Sequence, residues 1–263
     1  KLDIVQMAFH GVIGVIIITT KKGKENKVSV SLDSYYGVNG FVDYPTPRMG
    51  DSYLNVRREA YRTVGQWASP ADDYKIFTNE EWSAIQNNQW VNWVDELTRQ
   101  GTQQSHNVTF SSGKDKVKSY LSLGYFNEQG IFEDDDITRY TLRANLDYEV
   151  RPWMTVGVNT QLTYYDQNSV PASALTQATT YIPLGTPYNA DGSVNLFPVS
   201  GDAQRLSPLA NYADENRSVD NTVSIKNFSS AYLLLQPFKQ LTFRSNLSTS
   251  LATNRSGEYN GLN

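Results

Sequence analysis

Few side chains in this 263-residue sequence suit covalent or proton-transfer chemistry. The chain has no Cys, which excludes a thiol nucleophile, a disulfide framework and a Cys-based zinc site. Its two His residues, His10 and His106, lie far apart in the sequence, which argues against a Ser-His-Asp triad. The adjacent carboxylates Glu80 and Glu81 fit a helix-capping role. The sequence therefore predicts no catalytic residue and no enzyme.

Oxygen ligands for a metal ion are concentrated in one acidic run. Asp134–Asp136 could bind Ca²⁺ through carboxylate oxygens, or could form a solvated loop tip. The segment Asn189–Gly192 fits a turn, because the further alternating oxygen ligands of a calcium loop are absent. We predict no cofactor, with Ca²⁺ binding in the loops as the alternative.

Four Trp residues fall in one long predicted loop, residues 38–103: Trp67, Trp82, Trp90 and Trp93. Flat indole faces suit the apolar C–H surface of sugar rings, so these residues are candidate contacts for a substrate or a partner. They could instead pack the core of the loop itself. Helical spacing over Asp51–Gln66 and a capping box at Thr78–Glu81 predict that this loop is ordered.

The composition is typical of an all-β protein of a cell surface or outer membrane. A net charge of −4 argues against a nucleic-acid-binding protein that works through a basic surface. Charged residues make up 19% of the chain and aromatic residues 12%, whereas charged residues are roughly 25% of an average soluble domain. A membrane-spanning helix needs about 20 consecutive apolar residues, and the longest apolar run here is Val15–Ile18.

Seven segments alternate apolar and polar side chains with a period of two, which predicts strands with one apolar and one polar face. They are Val28–Gly37, Gln104–Ser112, Val117–Asn127, Thr138–Val150, Trp153–Tyr165, Thr222–Gln236 and Gln240–Thr253. Globular strands usually have about five or six residues, and a tilted strand needs about 9–11 to cross a bilayer. The length of these segments therefore favours membrane-spanning strands.

The polar faces carry charged and amide side chains in mid-strand. We predict that four of them face a barrel lumen or contact a plug inside it, because a water-filled or plugged lumen accommodates such groups. These four are Arg143, Asn145, Asp147 and Arg244.

The predicted links alternate strictly between short and long, with long loops at 38–103 and 166–221. Outer-membrane barrels show this alternation, with tight periplasmic turns and long extracellular loops. The predicted fold is therefore an all-β, antiparallel transmembrane β-barrel. Seven strands can form only part of it, because a bacterial barrel has an even number of at least about eight. We expect the sequence to be an excerpt of a longer chain.

Several motifs occur in one order along the chain. Gly14–Lys24 reads GVIIITTKKGK, Trp93–Leu97 is followed by Gln104–Val108, and Arg139–Asp147 reads RYTLRANLD. In this order they resemble the SusC/RagA type of TonB-dependent outer-membrane transporter, in which the first motif closes an N-terminal plug domain. Further similar stretches are Ser111–Tyr120, Gly124–Ile131 and Pro187–Gly192.

The resemblance implies a plug-filled barrel of about 22 strands. Residues 1–24 would be the end of the plug, although residues 1–13 depart from the family pattern, and residues 25–263 the N-terminal part of the barrel. It implies active import of glycans or oligopeptides across the outer membrane of a Gram-negative bacterium. The implied partners are a SusD-like surface lipoprotein, TonB of the inner-membrane energising complex, the substrate and outer-membrane lipid, with no nucleic acid.

A soluble or surface-attached all-β carbohydrate-binding or adhesion module is the alternative. That reading requires the apolar strand faces to be buried against a second sheet, as in a β-sandwich.

Overall fold

The computed structural model describes residues 27–261, except 42, 45, 171–172 and 214–217. Within these residues the chain forms one antiparallel sheet whose seven strands follow one another in sequence order. The strands are β1 (Lys27–Asn39), β2 (Gly101–Lys114), β3 (Val117–Gln129), β4 (Asp136–Arg151), β5 (Met154–Ser169), β6 (Ser218–Phe238) and β7 (Leu241–Asn260). All seven predicted strands are confirmed, whereas the predicted plug segment 1–24 lies outside the described residues.

Tight turns join the strands at one end of the sheet and long loops join them at the other. The turns are residues 115–116, 152–153 and 239–240, and the long loops are residues 40–100, 130–135 and 170–217. The strands extend further into the loops than predicted. Backbone pairing continues there through residues such as Asn168 and Asn221, where both faces of the sheet are polar and the alternation that predicts a strand has ended.

The described parts of the loops carry five short α-helices. They are α1 (Asp51–Thr63), α2 (Asp73–Ile76), α3 (Asn79–Gln86), α4 (Trp93–Leu97) and α5 (Ala174–Thr180). The predicted capping box at the start of α3 is present: the Glu81 backbone N–H donates to the Thr78 hydroxyl, and the Thr78 N–H donates to the Glu81 carboxylate.

The cross-strand register gives the sheet two chemically different faces. We call the residues that pair in register across all seven strands a row. From the row of Arg139 to the row of Asp147, every Asp, Glu, Lys and Arg of the strands lies on one face, which we call the polar face. The opposite, apolar face carries residues such as Val30, Leu123 and Leu247. The sequence alternation is thus preserved across all seven strands.

No second layer of the described chain covers the apolar face. Val30 is 70% exposed and Leu247 is 77% exposed. The β-sandwich alternative is therefore wrong for the described residues, which contain a single sheet. An apolar sheet face of this kind is stable only against another apolar medium or surface. None of the described helices is long and apolar enough to cross a membrane.

A small group of hydroxyl and amide side chains interrupts the apolar face. The Thr160 and Ser229 hydroxyls are 2.8 Å apart, and Ser229 donates to the Asn227 amide oxygen at 3.1 Å. These groups bond to one another across β5 and β6, which lowers the cost of placing them on an apolar face.

The long loops fold together into one unit, which we call the cap (the described residues of 40–100, 130–135 and 170–217). Isolated bridges join Trp90 to Leu184 and Thr98 to Phe132. Trp93 of α4 and Ala178 of α5 share a buried cluster against which Phe132 packs. Because all three loops contribute to one core, the cap is an ordered body at one end of the sheet.

Candidate functional site

The polar face buries one carboxylate in its lower half, toward the tight turns. Asp147 on β4 is 7% exposed, and the Tyr232 hydroxyl donates to its Oδ1 at 2.6 Å. Tyr232 is on β6, so its side chain must cross β5. It does so over Gly157, where an added Cβ would overlap the tyrosine ring and lie 2.7 Å from the Asp147 carboxylate. The glycine therefore provides the space for the contact between β6 and β4.

The ring of the same tyrosine also contacts a cationic side chain, Arg244. The Arg244 guanidinium of β7 lies 4.2 Å from the Tyr232 ring centroid, and its Nε donates to the Asn246 amide oxygen at 3.0 Å. A guanidinium over an aromatic face is attracted by the ring quadrupole. Asp147 and Arg244, both predicted to face the lumen, are thus linked through Tyr232 across four strands.

The other two predicted lumen residues lie on the same face of β4. Asn145 and Arg143 pair in register with Asn159 and Gln161 of β5, above the row of Asp147. Arg143 is exposed. The four residues therefore share a face, and the Tyr232 side chain connects two of them, Asp147 and Arg244.

Sequence reasoning missed Tyr232 and Gly157. A signal existed for the glycine, because an isolated Gly within a strand pattern often marks a close approach by other atoms. No sequence signal identifies which side chain makes that approach, since the pairing of β5 with β6 spans a long loop.

Two further cations of the polar face also lie over rings. The Arg139 guanidinium is 4.7 Å from the Phe126 centroid, and the Lys226 ammonium is 5.3 Å from the Tyr165 centroid. Phe126 pairs directly with Arg139 in the β3–β4 register. The polar face thus presents several cations held by neighbouring aromatic residues.

A second cluster of charges organises the cap. Glu81 is fully buried and forms ion pairs with Arg57 of α1 at 2.9 Å and with Arg205 at 2.8 Å. Arg57 and Glu81 belong to the loop 40–100, whereas Arg205 belongs to the loop 170–217. One carboxylate therefore joins two loops, in addition to the capping role that the sequence predicts.

Asp73 of α2 forms a comparable contact within the first loop. Arg58 donates from Nε and Nη2 to the two carboxylate oxygens, at 2.9 and 2.5 Å, and Trp67 Nε1 donates to Oδ1 at 2.9 Å. The hydrogen bond from Arg58 holds the pKa of Asp73 below its usual range, and the bond from Trp67 acts in the same direction.

The four candidate Trp residues occupy different depths of the cap. Trp93 is 1% exposed, and its Nε1 donates to the Ile182 carbonyl at 2.8 Å, so its ring packs the cap core. Trp67 and Trp82 pack partly buried against the cluster of Leu54, and Trp90 packs partly buried against the cluster of Leu184. The core-packing reading accounts for Trp93, and a contact role for the partly exposed rings stays a prediction.

Two cap tyrosines have hydroxyl pKa values above the ordinary value for tyrosine. Burial raises the pKa of Tyr181 to about 12, and its hydroxyl donates to the Arg205 carbonyl at 2.9 Å. Burial also raises the pKa of Tyr212 to about 12, with the carboxylates of Asp134 and Glu133 acting in the same direction. Both phenols therefore stay neutral at physiological pH, as structural groups do.

The structure describes both segments that the sequence raised as metal ligands. No group of three or more His, Cys, Asp or Glu among the described residues is arranged to hold a metal ion. In the Asn189–Gly192 segment the Ser193 N–H and hydroxyl both donate to Asp191 Oδ1, at 3.0 and 2.7 Å, which is the geometry of an Asx turn. His106 lies on the apolar face beside Tyr125, and His10 lies outside the described residues.

Comparison with known proteins connects this architecture to a family. The chain is 26% identical to the TonB-dependent receptor P3 of Formosa agariphila over 236 residues, which cover 85% of this chain and 21% of that receptor. It is 28% identical to the TonB-dependent receptor SusC of Bacteroides thetaiotaomicron over 138 residues, which cover 51% of this chain and 12% of SusC. No family model matches the sequence.

Solved structures show the same fold. The RagAB peptide importer in its closed-closed state superposes with a TM-score of 0.69 at 19% identity, over 93% of this chain and 30% of that chain. Its open-open state gives a TM-score of 0.67 at 17% identity, with the same coverage. The chain is therefore similar in sequence to TonB-dependent receptors, including SusC, and shares its fold with RagAB.

The SusC/RagA-type relatives are receptors and importers rather than enzymes, in agreement with the sequence prediction. The chain spans about a fifth of the receptor P3. Among the described residues the sheet is open, since β1 and β7 each have a strand neighbour on one side only.

Proposed function

We propose that this chain forms part of the wall and of the extracellular cap of an active importer in the outer membrane of a Gram-negative bacterium. The observation that carries this proposal is the two-faced single sheet. Its apolar face suits lipid and its charged face suits a lumen, and the similarity to SusC and RagAB supplies the family. Residues 25–263 would be the N-terminal part of the barrel, and residues 1–24 the end of the plug.

The import would be driven by TonB. No ATP is available at the outer membrane, so uptake against a gradient needs work delivered from the inner membrane. The names of the TonB-dependent receptors P3 and SusC support this dependence. In the proposed cycle, TonB pulls on the plug and opens a path along the polar face.

The cap would receive a SusD-like surface lipoprotein and the substrate. Its ordered core and its partly exposed Trp rings suit a protein or sugar contact better than a mobile loop would. The structural neighbour RagAB is a peptide importer. The chain is also similar in sequence to the TonB-dependent receptor SusC. We therefore propose glycans or oligopeptides as the substrate class.

Uptake by whole cells tests the proposal. Cells with and without the full-length gene would receive fluorescent pools of oligosaccharides and of short peptides, with and without a protonophore that collapses the proton-motive force. We expect gene-dependent uptake of one pool that the protonophore abolishes. Uptake that persists at full rate after the protonophore, or that is equal without the gene, would contradict the proposal.

A further inference from the structure

Four cations are exposed on the polar face at different heights. Arg139, Lys226 and Arg244 each lie over an aromatic ring, and Arg143 is exposed between them. We call this set (Arg139, Arg143, Lys226 and Arg244) the cation ladder. None of the four forms an ion pair with a described residue.

The middle and lower rows of the polar face have an excess of positive charge, whereas the rows nearest the cap add the acidic residues Glu128, Asp220 and Glu258 on the same face. Between the rows of Arg139 and Arg244, this face carries six cationic side chains and three acidic ones. The cationic residues are Lys27, Lys118, Arg139, Arg143, Lys226 and Arg244, and the acidic residues are Asp33, Asp147 and Glu149. Asp147 also accepts the Tyr232 hydrogen bond, which withdraws part of the negative charge from the lumen.

The ladder runs along most of the sheet. The row of Arg139 meets β6 at Ser224, and the row of Arg244 meets β6 at Leu234. At about 3.3 Å per residue, these rows are roughly 33 Å apart along the strand. An elongated ligand that follows the wall would therefore pass one cation after another.

The contact with an aromatic ring makes each of these cations better suited to bind an anion. A guanidinium stacked on a ring keeps the N–H groups at its edge free to bind carboxylate or sulfate. The ring also restricts the rotamers of the long side chain, so less entropy is lost when the anion binds. A cation that is held but not neutralised is suited to a transient ligand.

We propose that the cation ladder makes the import path selective for anionic oligomers, that is, chains with repeated carboxylate or sulfate groups. This inference rests on the proposed import function and narrows its substrate class. The shared chemistry belongs to acidic oligosaccharides and acidic peptides, and the test separates these two sources.

Binding to the purified full-length transporter, measured by titration calorimetry, tests this proposal with two matched probe pairs. One pair is a hexamer of galacturonate and its neutral methyl ester, and the other is a Glu-rich octapeptide and its Gln counterpart. We expect the acidic member of one pair to bind about tenfold tighter than its neutral partner, and we expect added salt to reduce that difference.

Variants assign the preference to the ladder. Arg143→Gln and Arg244→Gln together are expected to reduce the charge preference several-fold, whereas Arg143→Lys alone keeps it. Arg255→Gln is the matched control, because Arg255 lies on the opposite face of β7 and its loss leaves the preference unchanged. Heat-modifiable migration in detergent gels checks that each variant is folded.

Equal binding of the acidic and neutral members in both pairs would overturn the proposal. So would a charge preference that is undiminished in the double Gln variant. A double variant with a leaky resting pore and unchanged binding would show that the cations contact the plug and not the ligand. This result would also overturn the proposal. Energy-dependent uptake of the neutral probes would leave the import function intact in each case.

Discussion

At the scale of the residue, Gly157 decides how the polar face is organised. Its missing side chain lets the Tyr232 ring lie flat across β5, with the hydroxyl on Asp147 and the Arg244 guanidinium on the ring. A sheet normally couples adjacent strands only, through cross-strand pairs. Here one ring couples β4, β6 and β7, and it fixes the position of Arg244, a cation of the polar face.

Replacing this glycine by alanine should break that coupling. In Gly157→Ala the new Cβ overlaps the Tyr232 ring, so the ring must move away from Asp147. We expect a loss of about 1–3 kcal/mol in the free energy of unfolding, typical of overpacking in a filled site, measured by urea titration in lipid vesicles. The control is Gly257→Ala, which has open space around the added Cβ, and equal stability of the two variants would contradict the assignment.

At the scale of the element, Glu81 holds the cap together. Its carboxylate is buried and accepts from the Thr78 backbone N–H, from Arg57 and from Arg205. The sequence predicts α3 and its capping box because both depend on residues a few positions apart. It does not predict Arg205, which lies 124 residues from Glu81, since no local pattern links the two loops.

Neutralising Glu81 should loosen the two loops together. Glu81→Gln leaves two arginines without their common counter-charge, and we expect a loss of about 2–3 kcal/mol, the lower range for buried pairs because Arg205 is partly exposed. Hydrogen exchange should become faster in both loops, 40–100 and 170–217. The control is Glu59→Gln, because Glu59 is exposed and pairs with Arg62 within the same helix. Faster exchange confined to one loop would show that Glu81 does not join them.

Acid should loosen the first helices of the cap. The pKa of Asp73 is lower in the folded state than its ordinary value of 3.8, so its contribution to stability is complete above that value. The contribution is lost as the pH falls through the folded pKa. We expect the protection of α1 and α2 against hydrogen exchange to fall at acid pH in the wild type, and to fall less in Asp73→Asn. An identical pH profile in both proteins would contradict this account.

The strands themselves were predictable because the period of two is a local property of the sequence. Segments such as Thr138–Val150 alternate without interruption, and the structure extends that strand by only a few residues, to Asp136–Arg151. Contacts that skip a strand, such as the one between Tyr232 and Asp147, depend on register and on glycine spacing. Those features follow from the folded sheet and not from any single segment.

At the scale of the whole molecule, three structural features together match the architecture of an outer-membrane barrel. The sheet separates charge from apolar surface, the tight turns gather at one end, and the three long loops build the cap at the other. An outer-membrane barrel needs this arrangement, with lipid outside, solvent or plug inside, and long loops at the cell surface. Open strand edges are costly in lipid, so the import function that we propose requires these seven strands to be part of a closed barrel.

The orientation of the cap tests this account most directly. The chain has no Cys, so single cysteines can be introduced into the full-length transporter at the exposed positions Ala190 in the cap and Lys116 in a tight turn. Intact cells would then be treated with a membrane-impermeant maleimide. We predict labelling of Ala190→Cys in intact cells, and labelling of Lys116→Cys only after the outer membrane is permeabilised. The reverse pattern, or equal labelling of both positions in intact cells, would contradict the account.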